Sequence, residues 1–463
     1  MASPSDNHLD ASRVSSISAG LATGLIYGYK WGSPSKGVGT HITWSVPQGT
    51  AWFANSYSSW GEQYDWYVLS ETEIQGATRA MNAWMSVSGL TASRIADNQT
   101  TVGEIRLAKS SRGSANSDGH AYLPSDAPNA GDIWLQVNSW NRSGNDAHRP
   151  GTFAYLTLLH EIGHALGLKH PFETSGYNGN VLPAQYDNYF MTIMSYSATP
   201  WSRSASADFY PTTPMYLDLL AIQHLYGRDT KTNAGNSTYT FWEGQKYWQT
   251  IYDASGTDTV VYRGSVDSMI DLREGWYSSV SDAINFGDGT SSRSTVYIGP
   301  NVTIENATGG TGSDTLIGNN ARNTLKGDFG NDTLRGSAGD DKLYGGAGND
   351  RLSGGSGQDS FYFNAPLSDD PSAGDIDWIT DFNVVSDLIY LEDAVFKGIR
   401  KGKMSQSVFT TGSAAKDSKD RIVYDKKTGS LFYDSDGTGS TAPIKFAAMS
   451  KNLKLTAADF YIV

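Results

Sequence analysis

The sequence has 463 residues and no cysteine. That excludes a disulfide scaffold, a Cys-ligated zinc site and thiol catalysis, and leaves the redox compartment open. Basic residues are scarce: 35 Lys and Arg stand against 48 Asp and Glu, a formal charge of −13. A nucleic-acid footprint is basic, so this balance argues against nucleic-acid binding and against an anionic membrane surface. No run of eighteen apolar residues occurs, so no segment reads as a membrane-spanning helix. Charged residues make up only 18% and aromatics 12%. Such a chain can bury large cores, and its length predicts two or more domains. The acidic surplus permits cation binding.

Met1 to Ala19 is polar and Ser-rich. The most apolar stretch nearby, Ile17 to Ile26, is interrupted by Gly and Thr and lacks a basic flank, so it reads as a poor secretory signal peptide. Residues 20–230 read as mixed α/β around one mixed sheet. Ser70 and Glu73 form a capping box, and Ile74, Ala77, Met81 and Trp84 follow at helical spacing, predicting a helix over 71–87. Further helices are expected over 154–166 and 215–225. Strands are expected at Thr43–Val46, Glu104–Leu107 and Ile133–Val137.

Residues 231–463 are rich in Gly, Asp, Ser and Thr. From Gly309 the chain reads as six contiguous nonapeptides ending at Tyr362, the pattern of calcium-binding parallel β-helix repeats. Position eight is always large and apolar: Leu316, Leu325, Leu334, Leu343, Leu352 and Phe361. One such residue in nine suits a three-residue strand pointing one side chain inward, followed by a six-residue turn. Two units make one coil, so turns one, three and five stack on one edge and two, four and six on the other.

Position six is Asp314, Asn323, Asp332, Asp341, Asp350 and Asp359. Stacking brings like charges together unless a cation intervenes, and Ca²⁺ takes oxygen ligands. Gly in the turn frees the backbone for positive φ and exposes carbonyls. Candidate ligands therefore extend to position two (Gly310, Asn319, Asp328, Ser337, Gly346, Gly355) and position four (Gly312, Ala321, Gly330, Gly339, Gly348, Gly357). Three well-formed inter-turn calcium sites are expected, and a weaker one at Asn323. A flexible Gly/Asp linker has no need of the apolar eighth position.

The strongest signal is His160-Glu161-Ile162-Gly163-His164-Ala165-Leu166-Gly167-Leu168-Lys169-His170. Residues four apart share a helix face, so His160 and His164 can address one metal. Glu161 lies beside them and can reach a water without being a ligand. Gly167 lets the chain turn back and bring in His170, and Pro171 prevents the helix from continuing. Three neutral imidazoles favour zinc with open positions. Thr192-Ile193-Met194-Ser195-Tyr196 follows; after this motif, Met194 reads as a Met-turn beneath the metal, and Tyr196 can place a phenol at it. The remaining histidines, His8, His41, His120, His148 and His224, have no ligand-like spacing.

The extended zinc motif, the Met-Ser-Tyr turn and the nonapeptides together resemble the serralysin family of secreted bacterial metalloendopeptidases, which are metzincins, over about residues 25–463. The resemblance implies an α/β metzincin-type protease domain at 21–230, followed by an all-β parallel β-roll at 231–463, after a pro-like segment at 1–20. It implies that His160, His164 and His170 bind one Zn²⁺, that Glu161 is the base, and that Tyr196 is a further ligand able to swing aside. Additional Ca²⁺ positions match locally: Asn233, Gly235, Ser237, Asp253, Ser255, Gly256 and Asp258 before the roll, Thr303 and Glu305 at its entry, and Asp387 after the repeats, with Asp377 and Asp381 nearby.

Extended substrate is expected to pair with an edge strand, for which Asp132–Val137 is the candidate. The ending Asp459-Phe460-Tyr461-Ile462-Val463 resembles the family's uncleaved signal for ABC-type (type I) export; read plainly, it is a final edge strand. The implied protein is an extracellular monomer acting on proteins and peptides, open to a small protein inhibitor. A second reading is a calcium-dependent adhesion or toxin-like module with a vestigial metal site, against which the intact Glu161 and three histidines speak.

Overall fold

The computed structural model describes residues 9–14, 20–54, 56–112, 117–137, 148–202, 206–368 and 375–463. Most of the pro-like segment therefore lies outside the described residues. Its described part includes Ala11–Arg13, which pairs antiparallel with Tyr29–Trp31. Two units are present. The first comprises 1–234, 246–254 and 283–302; the second comprises 235–245, 255–282 and 303–463.

In the first unit, helix α1 (Glu71–Met85) opens on the Ser70/Glu73 capping box and buries Ile74, Ala77, Met81 and Trp84. Helix α2 (Phe153–Ala165) is capped by Thr152, and nearly every residue of it is buried. Trp84 Nε1 donates to Leu159 O (3.0 Å), tying α1 to α2. Helix α3 is Tyr216–Tyr226, closed by Gly227 at φ 78°. The sheet consists of β1 (His41–Ser45), β2 (Thr91–Arg94), β3 (Ile105–Ser110), β4 (Gly119–Ala121) and β5 (Ile133–Gln136). Its order is β2-β1-β3-β5-β4, parallel except for β4, and Trp66–Tyr67 pairs antiparallel with β3.

This order corrects the expected edge strand. β5 is interior and buried, and β4 is the end strand. The expected single boundary after residue 230 is also corrected. Gln249–Ile251 pairs parallel with Ser291–Ile298 in the first unit. Trp248 and Phe286 join Phe190 and Trp201 in an aromatic cluster there, and burying Trp248 and Phe286 draws both excursions into this unit.

The second unit is a parallel roll with a period of eighteen residues. Leu316 pairs with Leu334 and Leu334 with Leu352; Leu325 pairs with Leu343 and Leu343 with Phe361. All six side chains are fully buried, each contributing roughly 1.5–3 kcal/mol of burial. Several strands run to six residues, as in Thr324–Phe329, because pairing continues past the expected three through Asp328 to Gly346. Coils without consensus repeats extend the roll on both sides. Thr238–Trp242 and Thr259–Arg263 precede the nonapeptides, and Leu388–Leu391 follows. Phe460–Ile462 lies between Leu388–Leu391 and Gly402–Lys403, so the terminal strand is not an edge.

Turn position two takes positive φ: 104° at Gly346 and 98° at Gly355, but also 75° at Asp328 and 88° at Ser337. An L-residue is strained there by ~1–2 kcal/mol. Ser337→Gly is therefore expected to raise stability by about 1 kcal/mol, read as a higher denaturation midpoint in calcium. An unchanged midpoint would mean that the Ser337 Oγ bond to Gly318 O (3.2 Å) offsets the strain.

Candidate metal centre

Helix α2 presents His160 and His164 one turn apart. The chain then leaves through Gly167, whose φ is +103° and where a Cβ would lie 2.5 Å from Tyr29 O. Only glycine suits that position, and the turn it permits brings His170 back. Lys169, buried beside it, donates to the carbonyls of Gly24 (2.6 Å), Glu173 (2.5 Å) and Asn180 (2.8 Å), pinning the segment that carries His170. The three Nε2 atoms lie 3.0 to 3.1 Å from one another.

Their protonation follows from the other ring nitrogens. His160 Nδ1 faces Ile193 O at 2.7 Å and His164 Nδ1 faces Leu168 O at 2.8 Å. A carbonyl only accepts, so each Nδ1 carries the proton and each Nε2 presents a lone pair. His170 Nδ1 lies 2.9 Å from Glu173 Oε1, without the alignment of a hydrogen bond. Burial lowers the basicity of all three rings, His170 to about 2, which keeps them neutral. Lone pairs converging in a buried place repel unless a cation joins them. Zinc–nitrogen bonds of ~2.0–2.1 Å suit such a trio, so these residues fit zinc.

Tyr196 OH lies 2.7 Å from His170 Nε2, at the same centre. Glu161 is buried and its Oε2 has no hydrogen-bond partner among the described residues. Burial, with the charge of Asp118 adding, pushes its carboxyl up to about 8. Met194 is fully buried beneath the helix, where a Cβ on Gly163 would come within 2.6 Å of its Sδ. Gly163 is thus what allows the Met-turn to approach. Gly119 of β4 sits beside Glu161: a Cβ there would be 3.4 Å from Glu161 Cγ.

Sequence reading missed Asp218. Its buried carboxyl accepts from Thr192 Oγ1 (2.6 Å), Ile193 N (2.8 Å) and Met215 N (2.8 Å), so it holds the turn whose carbonyl orients His160. A lone acid in the apolar run Leu217-Asp218-Leu219-Leu220-Ala221-Ile222 was the available signal. His120, set aside on spacing, lies on β4 with Nε2 2.8 Å from the fully buried Glu62. Glu62 also accepts from Tyr122 OH (2.8 Å) and Ser58 Oγ (2.5 Å), anchoring the end strand.

In the roll, each turn's backbone N–H donates to a carboxylate one coil on: Asp314 N to Asp332 Oδ1 (2.7 Å), Asp332 N to Asp350 Oδ1 (2.8 Å), and Asp341 N to Asp359 Oδ1 (3.0 Å). The other oxygens, Oδ2 of Asp332, Asp341, Asp350 and Asp359, are buried without a hydrogen-bond partner among the described residues. Carbonyls crowd the same turns: a Cβ on Gly330, Gly348 or Gly357 would strike the carbonyl of Gly312, Gly330 or Gly339, and one on Gly346 or Gly355 that of Asp328 or Ser337. Burial, with neighbouring carboxylates adding, pushes Asp332 up to about 8, Asp341 to about 7, and Asp350 and Asp359 to about 6. Oxygens gathered this way fit Ca²⁺.

Asn323 differs. Its amide donates to Glu305 O (3.0 Å) and Asn319 Oδ1 (3.1 Å), and Ala321 N also donates to Asn319 Oδ1 (2.9 Å), so this turn satisfies its own polar groups. In the first turn, Gly310 N donates to Asp314 Oδ2 (2.6 Å). The carboxylate ladder continues past the repeats: Asp350 N donates to Asp377 Oδ1 (3.0 Å) and Asp359 N to Asp387 Oδ1 (3.2 Å), while Asp381 accepts from Ser353 Oγ (2.6 Å).

Of the earlier positions, Ser237 N donates to Asp258 Oδ1 (2.7 Å), Ser237 Oγ to Gly235 O (3.1 Å), and Asp258 N to Glu305 Oε2 (2.8 Å). Gly256 faces Gly235 O. These belong to the second unit with Ser255 and Thr303, and Thr303 is exposed. Asn233 and Asp253 belong to the first, where Asn233 Nδ2 donates to Tyr252 O (3.1 Å) and Asp253 is buried.

An α/β unit with two histidines on a helix and a third just after it, over a buried Met-turn, in a chain that also forms a parallel β-roll, defines a metzincin with a roll domain. Residues 53–187 match the family model described as Matrixin, and residues 220–438 match that described as Peptidase M10 serralysin C terminal. Both models match this one chain, which is thereby similar to the serralysin family. It is similar to Serralysin B of Dickeya chrysanthemi, 34% identical over 291 residues covering 57% of each chain. Metalloprotease AprA of Pseudomonas entomophila is 34% identical over 281 residues, covering 54% of each. Serralysin of Proteus mirabilis is 30% identical over 313 residues, covering 60% of each. The chain thus spans between half and two thirds of the length of these curated relatives.

Proposed function

We propose that the chain is a secreted zinc-dependent endopeptidase that hydrolyses peptide bonds in proteins. The observation that carries this reading is the convergence of three imidazole nitrogens beside a buried carboxyl with one oxygen unpartnered among the described residues. Zinc, when bound by His160, His164 and His170, supplies a Lewis acid that polarises the scissile carbonyl and acidifies water. Glu161 takes the proton from the attacking water and delivers it to the leaving amine. The Tyr196 hydroxyl donates to the oxyanion that develops. Substrate lies extended and pairs its backbone with end strand β4, which gives affinity with little sequence preference. Glu62 and His120 hold that strand in place from the other face.

The roll binds several Ca²⁺ ions through its turn carboxylates and carbonyls. Extracellular modules bind calcium at roughly 10⁻⁴–10⁻³ M, so the roll folds on leaving the cell, exported by an ABC-type machinery that reads the C-terminal segment. The protein acts as a monomer on protein and peptide substrates, and a small protein inhibitor can occupy its cleft. Azocasein hydrolysis that is lost with 1,10-phenanthroline and restored by zinc is the expected result. Absence of hydrolysis in zinc-loaded, calcium-replete protein would favour the adhesion-type module instead.

A further inference from the structure

The sheet of the first unit has a second face with its own polar centre. Along β5 the pleat alternates sides. Leu135 lies on the side of Glu161, because a Cβ on Gly119 would meet both Leu135 Cδ2 and Glu161 Cγ at 3.4 Å. Trp134 turns the other way, where its Nε1 donates to Tyr57 OH (3.0 Å). Asp132, two residues earlier, shares that side. A cavity of about 450 Å³ opens here, lined among others by Trp31, Trp52, Phe53, Tyr57, Arg106 and Asp132. Its size is ordinary for a small-molecule site.

The charges in this cavity do not balance. Asp132 is 6% exposed, and its Oδ2 accepts from Tyr57 OH. Arg106, whose charge acts on Asp132, is already committed. Its Nε and Nη2 donate to Asp97 (2.7 and 2.6 Å), its Nη1 donates to Trp52 O (2.8 Å), and its guanidinium lies 4.3 Å from the centre of the Phe53 ring. Asp10 and Asp126 also line the cavity, and Glu62 adds like charge from nearby. A buried carboxyl without its own counter-ion is costly, and burial pushes Asp132 up to about 8.

We infer that this cavity is a binding site for a small organic ammonium ion with an apolar body, its nitrogen on Asp132 and its body against the aromatic rings. A carboxylate supplies the ion pair, and the faces of Trp and Tyr add cation–π attraction. An anion meets repulsion from Asp10 and Asp126. A metal ion would find one buried carboxylate, Asp10 and Asp126 being exposed, too few oxygens to replace its water. When the ammonium binds, Asp132 ionises and its proton leaves to solvent, so affinity weakens as pH falls below the range in which the empty site titrates. The site lies on the opposite face from the metal centre and does not depend on the peptidase reading.

The test uses the full chain loaded with zinc and calcium. 2-Phenylethylamine and 2-phenylethanol are titrated at pH 8 and pH 6, followed by tryptophan fluorescence and calorimetry in buffers of different ionisation heat. The amine is expected to bind about tenfold or more tighter than the alcohol at pH 8. The gap should narrow at pH 6, and proton release should accompany binding. Asp132→Asn is expected to remove the preference for the amine. Equal binding of amine and alcohol, or no saturable binding of the amine at millimolar concentration, overturns the proposal. Should Asp132→Asn fold poorly, the comparison of the two compounds on the unsubstituted chain decides alone.

Discussion

Replacing Glu161 by Gln is expected to lower azocasein hydrolysis by about 10²–10⁴-fold while the chain still binds one zinc ion. The substitution keeps the volume of a buried side chain. What it removes is proton affinity. The carboxyl of Glu161 is raised to about 8 mainly by burial and secondarily by Asp118, so it holds a proton more tightly than an exposed glutamate does. An amide at the same place can accept a hydrogen bond but cannot take the proton. The histidine ligands are oriented by Ile193 O and Leu168 O, not by Glu161, so metal content should be unaffected. Zinc analysis of the purified variant alongside its rate checks both halves. A variant within tenfold of the parent rate while fully zinc-loaded would remove Glu161 from the chemistry.

The metal centre was legible because its spacing is local. His160, Glu161 and His164 need only a helix, and His170 needs only the turn at Gly167. The side chains that hold this centre from a distance were not legible. Asp218 lies 25 residues beyond Ile193 and meets it through space. Glu62 meets His120 across 58 positions. The end strand was misplaced for the same reason: β4 and β5 are adjacent in sequence, and only the pairing of β5 with β3 shows which of them is interior. In the roll, six regular repeats disclosed period and register, since an apolar residue every ninth position permits little else. The outer coils lack the consensus glycines and aspartates, yet Thr238–Trp242 and Leu388–Leu391 continue the same stacking. There the pattern survives in pairing geometry after it has faded from composition.

Removing calcium is expected to destabilise the roll more at pH 8 than at pH 5. Asp332, Asp341, Asp350 and Asp359 are raised in the metal-free fold to between about 6 and 8 by burial and by one another. The unfolded chain returns each to about 3.9. A carboxyl whose folded value is raised stabilises the fold fully below that unfolded value, and the contribution is lost as pH rises through the folded one. Protein held in EGTA, with its zinc content checked afterwards, should therefore melt lower at pH 8 by ~5 °C or more. With millimolar calcium the order inverts, because the ions take the ionised carboxylates that pH 8 supplies. Asn323 indicates what a neutral group does in such a turn, its amide donating where a carboxylate leaves Oδ2 unpartnered. Asp332→Asn should accordingly raise the melting temperature in EGTA, flatten its pH dependence and shrink the gain from calcium. Far-UV dichroism of both proteins at the two pH values reads all three effects. Equal melting in EGTA at pH 5 and pH 8 would mean that these carboxylates are not the groups on which the ions act.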